Sequence, residues 1–172
     1  MRTVSFLLAV LISGLLITSV QAQQVDSKWF EEKAKLLNEK ANWTLFSQDS
    51  NRDMEFYYDS KNITYRGGAA LVAVKKVYKS EKAISELKKE RNRTMGSRIV
   101  LKYDRFSFSI VTFEILCSMK EIKSEAITVD YDDQGNILNF VPTHTGVMPI
   151  YPDTLAEKLY ILICVRGQGE QK

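Results

Sequence analysis

The stretch Phe106–Cys117, FSFSIVTFEILC, constrains the fold more than any other part of the chain. In an extended strand successive side chains point to opposite faces, and here apolar side chains occupy both faces. One face would carry Val111, Phe113, Ile115 and Cys117, and the other Phe106, Phe108, Ile110 and Leu116. This pattern predicts a central strand that is covered on both sides.

Shorter β-rich runs come before this stretch. They are WTLF, MEFYYD, ITY and AALVAVKKVY. Turn-forming residues at 49–51 and 60–62 and the pair Gly67-Gly68 separate them. Short runs that alternate with turn residues predict antiparallel strands.

The segment AITVDYDDQGNILNFV, which follows the central stretch, predicts a β-hairpin with an Asp/Gly turn. Its acidic residues also match the opening spacing of an EF-hand calcium loop. The closing position of that loop would fall on Val141, which has no carboxylate, and the flanks have strand periodicity. We therefore expect a hairpin here and no metal site.

Three segments have helical spacing. SKWFEEKAKLLNEKA, Ser27–Ala41, predicts an amphipathic helix, and SEKAISELKKER predicts a thin surface helix between strands. YPDTLAEKLYILIC predicts a helix near the end of the chain, where Thr154 and Glu157 have the spacing of a capping box. The expected class is α+β: a single antiparallel sheet with a C-terminal helix packed on one face, and an extra N-terminal helix.

The first 22 residues are typical of a secretory signal peptide. Arg2 is followed by an apolar run and then by Val20-Gln21-Ala22, which predicts cleavage before Gln23. Removal of residues 1–22 takes one basic residue and no acidic residue from a chain of net charge +3, which leaves +2. No cysteine stands directly after the cleavage site, so we predict no lipid anchor. An uncleaved N-terminal anchor is the alternative to cleavage, and we predict an exported protein without a transmembrane segment after removal of the signal peptide.

Cys117 and Cys164, the two cysteines of the chain, both remain after this cleavage. An even pair in an exported protein predicts a disulfide. Zinc ligation is a weaker alternative, because the single His144 does not complete a ligand set. A thiol nucleophile is also weaker, since no local motif supplies a base. We assign no role to His144.

Several motifs occur in an order that resembles the surface-adhesin protein E family of small exported bacterial proteins. They are Trp43, FYYDSKNI (56–63), the strand-end Cys117, YDDQGNI (131–137) and PIYPDTLAEKLYILIC, which ends at Cys164. The resemblance implies a sheet with a C-terminal helix tied by a disulfide. The resemblance covers a family-like domain at 43–164. The residues before and after it are predicted to be a signal peptide (1–22), an N-terminal amphipathic helix (23–42) that the family pattern lacks, and a flexible tail (165–172).

For function, the resemblance implies an exported binding module that adheres to a host partner, and the distribution of charge adds an anionic surface as a candidate partner of that module. The alternative is a non-adhesive periplasmic protein that serves envelope structure or assembly. We expect no enzyme and no cofactor, because the sequence has no phosphate loop, nucleophile elbow or metal-ligand cluster. The expected location is the periplasm or the exterior, including the outer surface.

Charge is unevenly distributed along the chain. The segment Lys75–Arg105 holds eleven basic and four acidic residues, a net charge of +7. Such asymmetry predicts a surface that attracts a polyanion, while the alternative is an ordinary solvated helix. Few aromatic residues interleave with the cations, so we do not expect sequence-specific nucleic-acid binding. The candidate polyanion-binding residues are Lys82, Lys88, Lys89, Arg91 and Arg93.

Overall fold

The structure is a computed structural model that describes residues 28–96 and 102–167. The chain divides into two compact units, Met1–Leu37 and Asn38–Lys172. The predicted signal peptide and the end of the predicted tail, 168–172, lie outside the described residues.

The N-terminal helix, α1, spans 28–40, close to the predicted range. Trp29 and Phe30 are both exposed, and their rings meet edge to face with centroids 4.9 Å apart. This helix confirms that an extra helical segment precedes the strands.

A single antiparallel sheet forms most of the second unit. Its strands are β1 (Trp43–Asp49), β2 (Met54–Asp59), β3 (Thr64–Arg66), β4 (Ala69–Tyr78), β5 (Phe106–Leu116), β6 (Glu121–Asp132), β7 (Ile137–Pro142) and β8 (Met148–Pro149). The main order is β1-β2-β4-β5-β6-β7, while β3 pairs with β4 and β8 pairs with β6. The predicted central stretch is β5, which pairs along its length with β4 and β6.

Two of the predicted turns have clear local causes. Gly67 and Gly68 connect β3 to β4 with φ angles of 54° and 82°, values that a side chain would penalise. Between β6 and β7, the Asp132 carboxylate accepts hydrogen bonds from the backbone of Gln134 and from both the backbone and side chain of Asn136. The hairpin prediction is confirmed, and Asp132 is occupied in holding the turn.

The described part of the second unit contains two longer helical segments and a short 3-10 helix at Tyr103–Arg105. Helix α2 spans Glu81–Met95, and Ser80 caps it by accepting a hydrogen bond from Ala83 N at 3.2 Å. Helix α3 spans Leu155–Tyr160 and continues as a π-helix, Ile161–Arg166. Thr154 caps α3 through Glu157 N at 3.2 Å, while the Glu157 carboxylate accepts from Asp153 N at 2.8 Å.

Both helical segments pack on the same face of the sheet, each over its own apolar cluster. In the larger cluster, Leu159 and Ile163 pack with Val72, Val74 and Val111. In the smaller cluster, Leu87 of α2 packs with Tyr103 and Phe106 next to Tyr78. Val72, Val74 and Tyr78 alternate along β4, which places the two clusters side by side on one face.

One side-chain orientation predicted for β5 is wrong. The pairing of β5 with β6 shifts register between Phe106 and Phe108, as in a β-bulge. The extra residue turns Phe106 towards α2, whereas Phe108 stacks on Tyr131 of β6 at 4.9 Å between ring centroids. Strict alternation had placed Phe106 and Phe108 on the same face.

Candidate functional site

The two cysteines form the predicted disulfide. Cys117 directly follows β5, Cys164 lies in the π-helix, and their Cα atoms are 5.6 Å apart. The bond joins residues separated by 47 positions. It therefore fastens the C-terminal helical segment to the end of the central strand.

The five candidate polyanion-binding residues occupy three different environments. Lys82, Lys89 and Arg93 are exposed on α2. Lys88 is partly buried, and its Nζ lies 3.4 Å from a carboxylate oxygen of Asp104. Arg91 is only 6% exposed, so its guanidinium is not available at the surface. The structure thus corrects the candidate set by removing Arg91.

Other cations of the basic segment are also dispersed. Lys79 pairs with Glu55 at 3.3 Å, and Arg105 pairs with Asp133 at 2.7 Å. Lys75 and its neighbour Lys76 point to opposite faces of β4, as strand geometry requires. The Lys75 ammonium lies over the Phe108 ring, 4.3 Å from its centroid. The cations of this segment that the structure describes do not form one continuous patch.

Arg91 belongs to a buried polar cluster centred on Asp130 of β6. Its Nε and Nη2 donate to the Asp130 carboxylate at 2.8 and 3.2 Å. The hydroxyls of Tyr103 and Ser109 donate to the same carboxylate, each at 2.6 Å. Asp130 is fully buried, and these four bonds compensate for the removal of its charge from water.

The cluster changes the acidity of its members. Burial lowers the pKa of Arg91, but the hydrogen bonds and charge of Asp130 outweigh burial and raise it overall. Burial and the nearby Asp130 charge raise the pKa of Tyr103. Burial also raises the pKa of Tyr78, to about 12. At neutral pH the arginine is therefore charged, and both tyrosines are neutral donors.

A cleft of about 530 Å³ opens next to this cluster, between α2 and the start of α3. Its apolar lining comes from the sheet, from α2 and from α3: Met54, Phe56, Tyr78, Phe113, Ala83, Leu87 and Leu155. The charged lining is Arg52, Lys76, Glu86 and Glu90. The volume falls within the range of about 300 to 1,000 Å³ that is typical of small-molecule sites.

Lys76 is the partly buried cation of this cleft. Burial, reinforced by the positive charge of Arg91, lowers the pKa of its ammonium, although Glu90 and Asp130 act in the opposite direction. Among residues 28–96 and 102–167, no carboxylate lies within ion-pair distance of Lys76. The cleft therefore presents an ammonium whose charge is not neutralised by direct contact.

Neither Lys76 nor Asp130 is among the site residues predicted from the sequence. The sequence carries a weak signal for each residue. Each places a charged side chain within a mainly apolar stretch of strand, on the face that the helices cover. Arg91 also had a signal: it follows Ala83 and Leu87 at helical spacing, and these three are the buried residues of α2. Counting charges along the chain treated Arg91 as a surface cation and overlooked this spacing.

Within the described part of the chain, no helix is long and apolar enough to cross a membrane. The same residues contain no group of three or more His, Cys, Asp or Glu side chains placed to hold a metal ion. Comparison with family models, with curated proteins and with solved structures finds no match to this chain.

Proposed function

We propose that the protein is an exported binding module of the bacterial envelope, of the surface-adhesin protein E kind, which contacts an anionic partner through the outer face of α2. Binding rather than catalysis is its role in this proposal. The Cys117–Cys164 bond supports export, because stable disulfides form in oxidising compartments.

The observation that carries this proposal is the group of exposed cations on α2. Lys82, Lys89 and Arg93 are seven and four residues apart, which places them along one side of the helix. None of the three pairs with an acidic residue of the described chain. Glu86 shares this side, so the four residues have a net charge of +2. A positive strip of this kind favours an anionic polymer or surface as the partner.

Heparin chromatography of the purified protein tests this proposal. The triple variant Lys82→Glu/Lys89→Glu/Arg93→Glu should elute at a clearly lower salt concentration than the wild type, because reversing three cations weakens its attraction to the anionic heparin. Less salt is then needed to screen the attraction that remains. The control is Lys61→Glu/Arg66→Glu/Arg166→Glu, which makes the same charge change at exposed positions elsewhere.

Equal elution of the two triple variants would show that only overall charge matters and would contradict the proposed α2 surface.

The location of the protein in the cell provides a second test. Proteolysis of intact cells should remove the protein if it is displayed on the surface. Full protection would favour the alternative of a periplasmic envelope protein.

A further inference from the structure

The cleft beneath α2 has a composition that selects a particular class of ligand. Its floor is the sheet, where Phe56 of β2 and Lys76 of β4 are directly paired in register. Phe113 and Leu155 extend the apolar lining towards α3. A single ammonium thus lies among aromatic and aliphatic side chains, the combination expected for a ligand with an apolar body and one polar end.

Lys76 has no direct acidic partner among the described residues, and two of the nearby acids, Asp130 and Glu90, are engaged by other groups. Asp130 accepts hydrogen bonds from Arg91, Tyr103 and Ser109. Glu90 pairs with Arg91 Nη1 at 3.0 Å. The ammonium has three donors and no acceptor capacity, so an acceptor with negative charge is its best partner.

The remaining charges of the cleft limit how much negative charge a ligand can carry. Glu86 and Glu90 line the same cleft on the α2 side. Two carboxylates facing one lysine and Arg52 disfavour a dianion such as a phosphate monoester, because like charges repel strongly where water is partly excluded. A monoanion therefore fits this lining better than a multiply charged ligand.

We propose that this cleft is a binding site for a small amphipathic monoanion, a carboxylate with an apolar body, whose carboxylate pairs with Lys76. The apolar body lies against Phe56, Phe113 and Leu155. This site uses Lys76 and none of the outer cations of α2, although Glu86 borders both, so different variants test the two.

Calorimetric titration of the full protein with decanoate tests the site, with decanol and decylamine as uncharged and cationic comparisons. Decanoate should bind, and the other two should bind at least tenfold more weakly. Lys76→Met should weaken decanoate binding about tenfold or more, because it removes the ammonium that makes a charge-assisted hydrogen bond to the carboxylate.

Lys75→Met is the matched control, since the adjacent lysine points to the opposite face of the same strand and should leave the affinity unchanged. A second variant, Leu155→Trp, narrows the cleft without altering Lys76 and should also abolish binding. This variant decides the question if Lys76→Met fails to fold.

Three results would overturn the proposal. They are no binding of decanoate to the wild type, equal binding of decanol, and decanoate binding that neither Lys76→Met nor Leu155→Trp weakens. Binding that falls when pH rises far enough to deprotonate Lys76 would support it, provided that Lys75→Met shows the same pH dependence as the wild type.

Discussion

The two helical segments on the covered face of the sheet are held there by different forces. The C-terminal segment is fixed by a covalent bond at Cys164 and by the buried side chains of Leu159 and Ile163. Helix α2 is fixed by Leu87 and by the charged pair of Arg91 with Asp130. One attachment responds to redox conditions and the other to substitution of its charged residues, so each can be disturbed while the other is kept.

Of the changes that would break these attachments, loss of the disulfide should lower the free energy of unfolding the most. In the chain-entropy model, a bond across 47 positions stabilises the fold by about 4 kcal/mol, since it restricts the unfolded chain. The double variant Cys117→Ala/Cys164→Ala should lose about this much free energy of unfolding, measured by urea denaturation.

Reduction of the wild type should reproduce the loss, which separates the effect of the bond from that of the substitutions. Hydrogen exchange should increase first in the C-terminal segment and leave α2 protected. A loss below about 1 kcal/mol would contradict the idea that the bond is the main attachment of this segment.

Disruption of the buried ion pair should have the next largest effect. Asp130→Asn removes the buried charge that pairs with Arg91 and leaves the more exposed Glu90 as its acidic partner, and breaking a buried ion pair costs about 3 kcal/mol. Thermal and urea unfolding should both show the loss, and hydrogen exchange should increase first in α2.

Asp133→Asn is the matched control, because Asp133 pairs with Arg105 at an exposed site. Such surface pairs contribute about 1 kcal/mol or less. Similar losses in the two variants would mean that burial of the Asp130 cluster has no energetic consequence.

The smallest predicted loss of stability occurs at alkaline pH, where Tyr78 ionises. The pKa of Tyr78 is about 12 in the folded protein, against about 10 for an unfolded tyrosine, because burial disfavours the phenolate. Its contribution to stability is complete below pH 10 and is lost as pH rises from 10 to 12, by at most about 1.4 kcal/mol per pH unit. Between pH 10 and 11, the free energy of unfolding of the wild type should therefore fall by about 1 kcal/mol more than that of Tyr78→Phe.

Urea denaturation at pH 9, 10 and 11 measures this difference. Tyr151→Phe serves as the control, because Tyr151 is 64% exposed and should leave the pH dependence unchanged. Parallel pH profiles for the wild type and Tyr78→Phe would disprove the assignment.

The same comparison shows how far a single sequence predicts this structure. The C-terminal segment was predicted well, because its helical spacing, its capping pair and its cysteine are all local or countable features. Helix α2 was predicted as a helix, but its attachment was not. Arg91 and Asp130 are 39 residues apart, and no local pattern links them.

The orientation of Phe106 was missed for a related reason. A β-bulge changes which face a side chain occupies, and the residues FSFS carry no mark of the register shift. The cleft around Lys76 was not predicted, because its lining comes from α2, α3 and three strands that are separated along the chain. Pairing and burial across distant segments decide these features, whereas periodicity reports only on neighbours.

The strand order has a consequence for the folding pathway. Along most of the sheet, each strand pairs with a strand that is close to it in sequence, so most of the sheet assembles through short loops. Docking of the C-terminal segment is different, as the hydrogen bond from Tyr65 to the carbonyl of Ile163 spans 98 residues. Contacts of such long range form late in topologies dominated by local pairing. We therefore expect reduction of the disulfide to accelerate unfolding and to leave the folding rate of the sheet nearly unchanged.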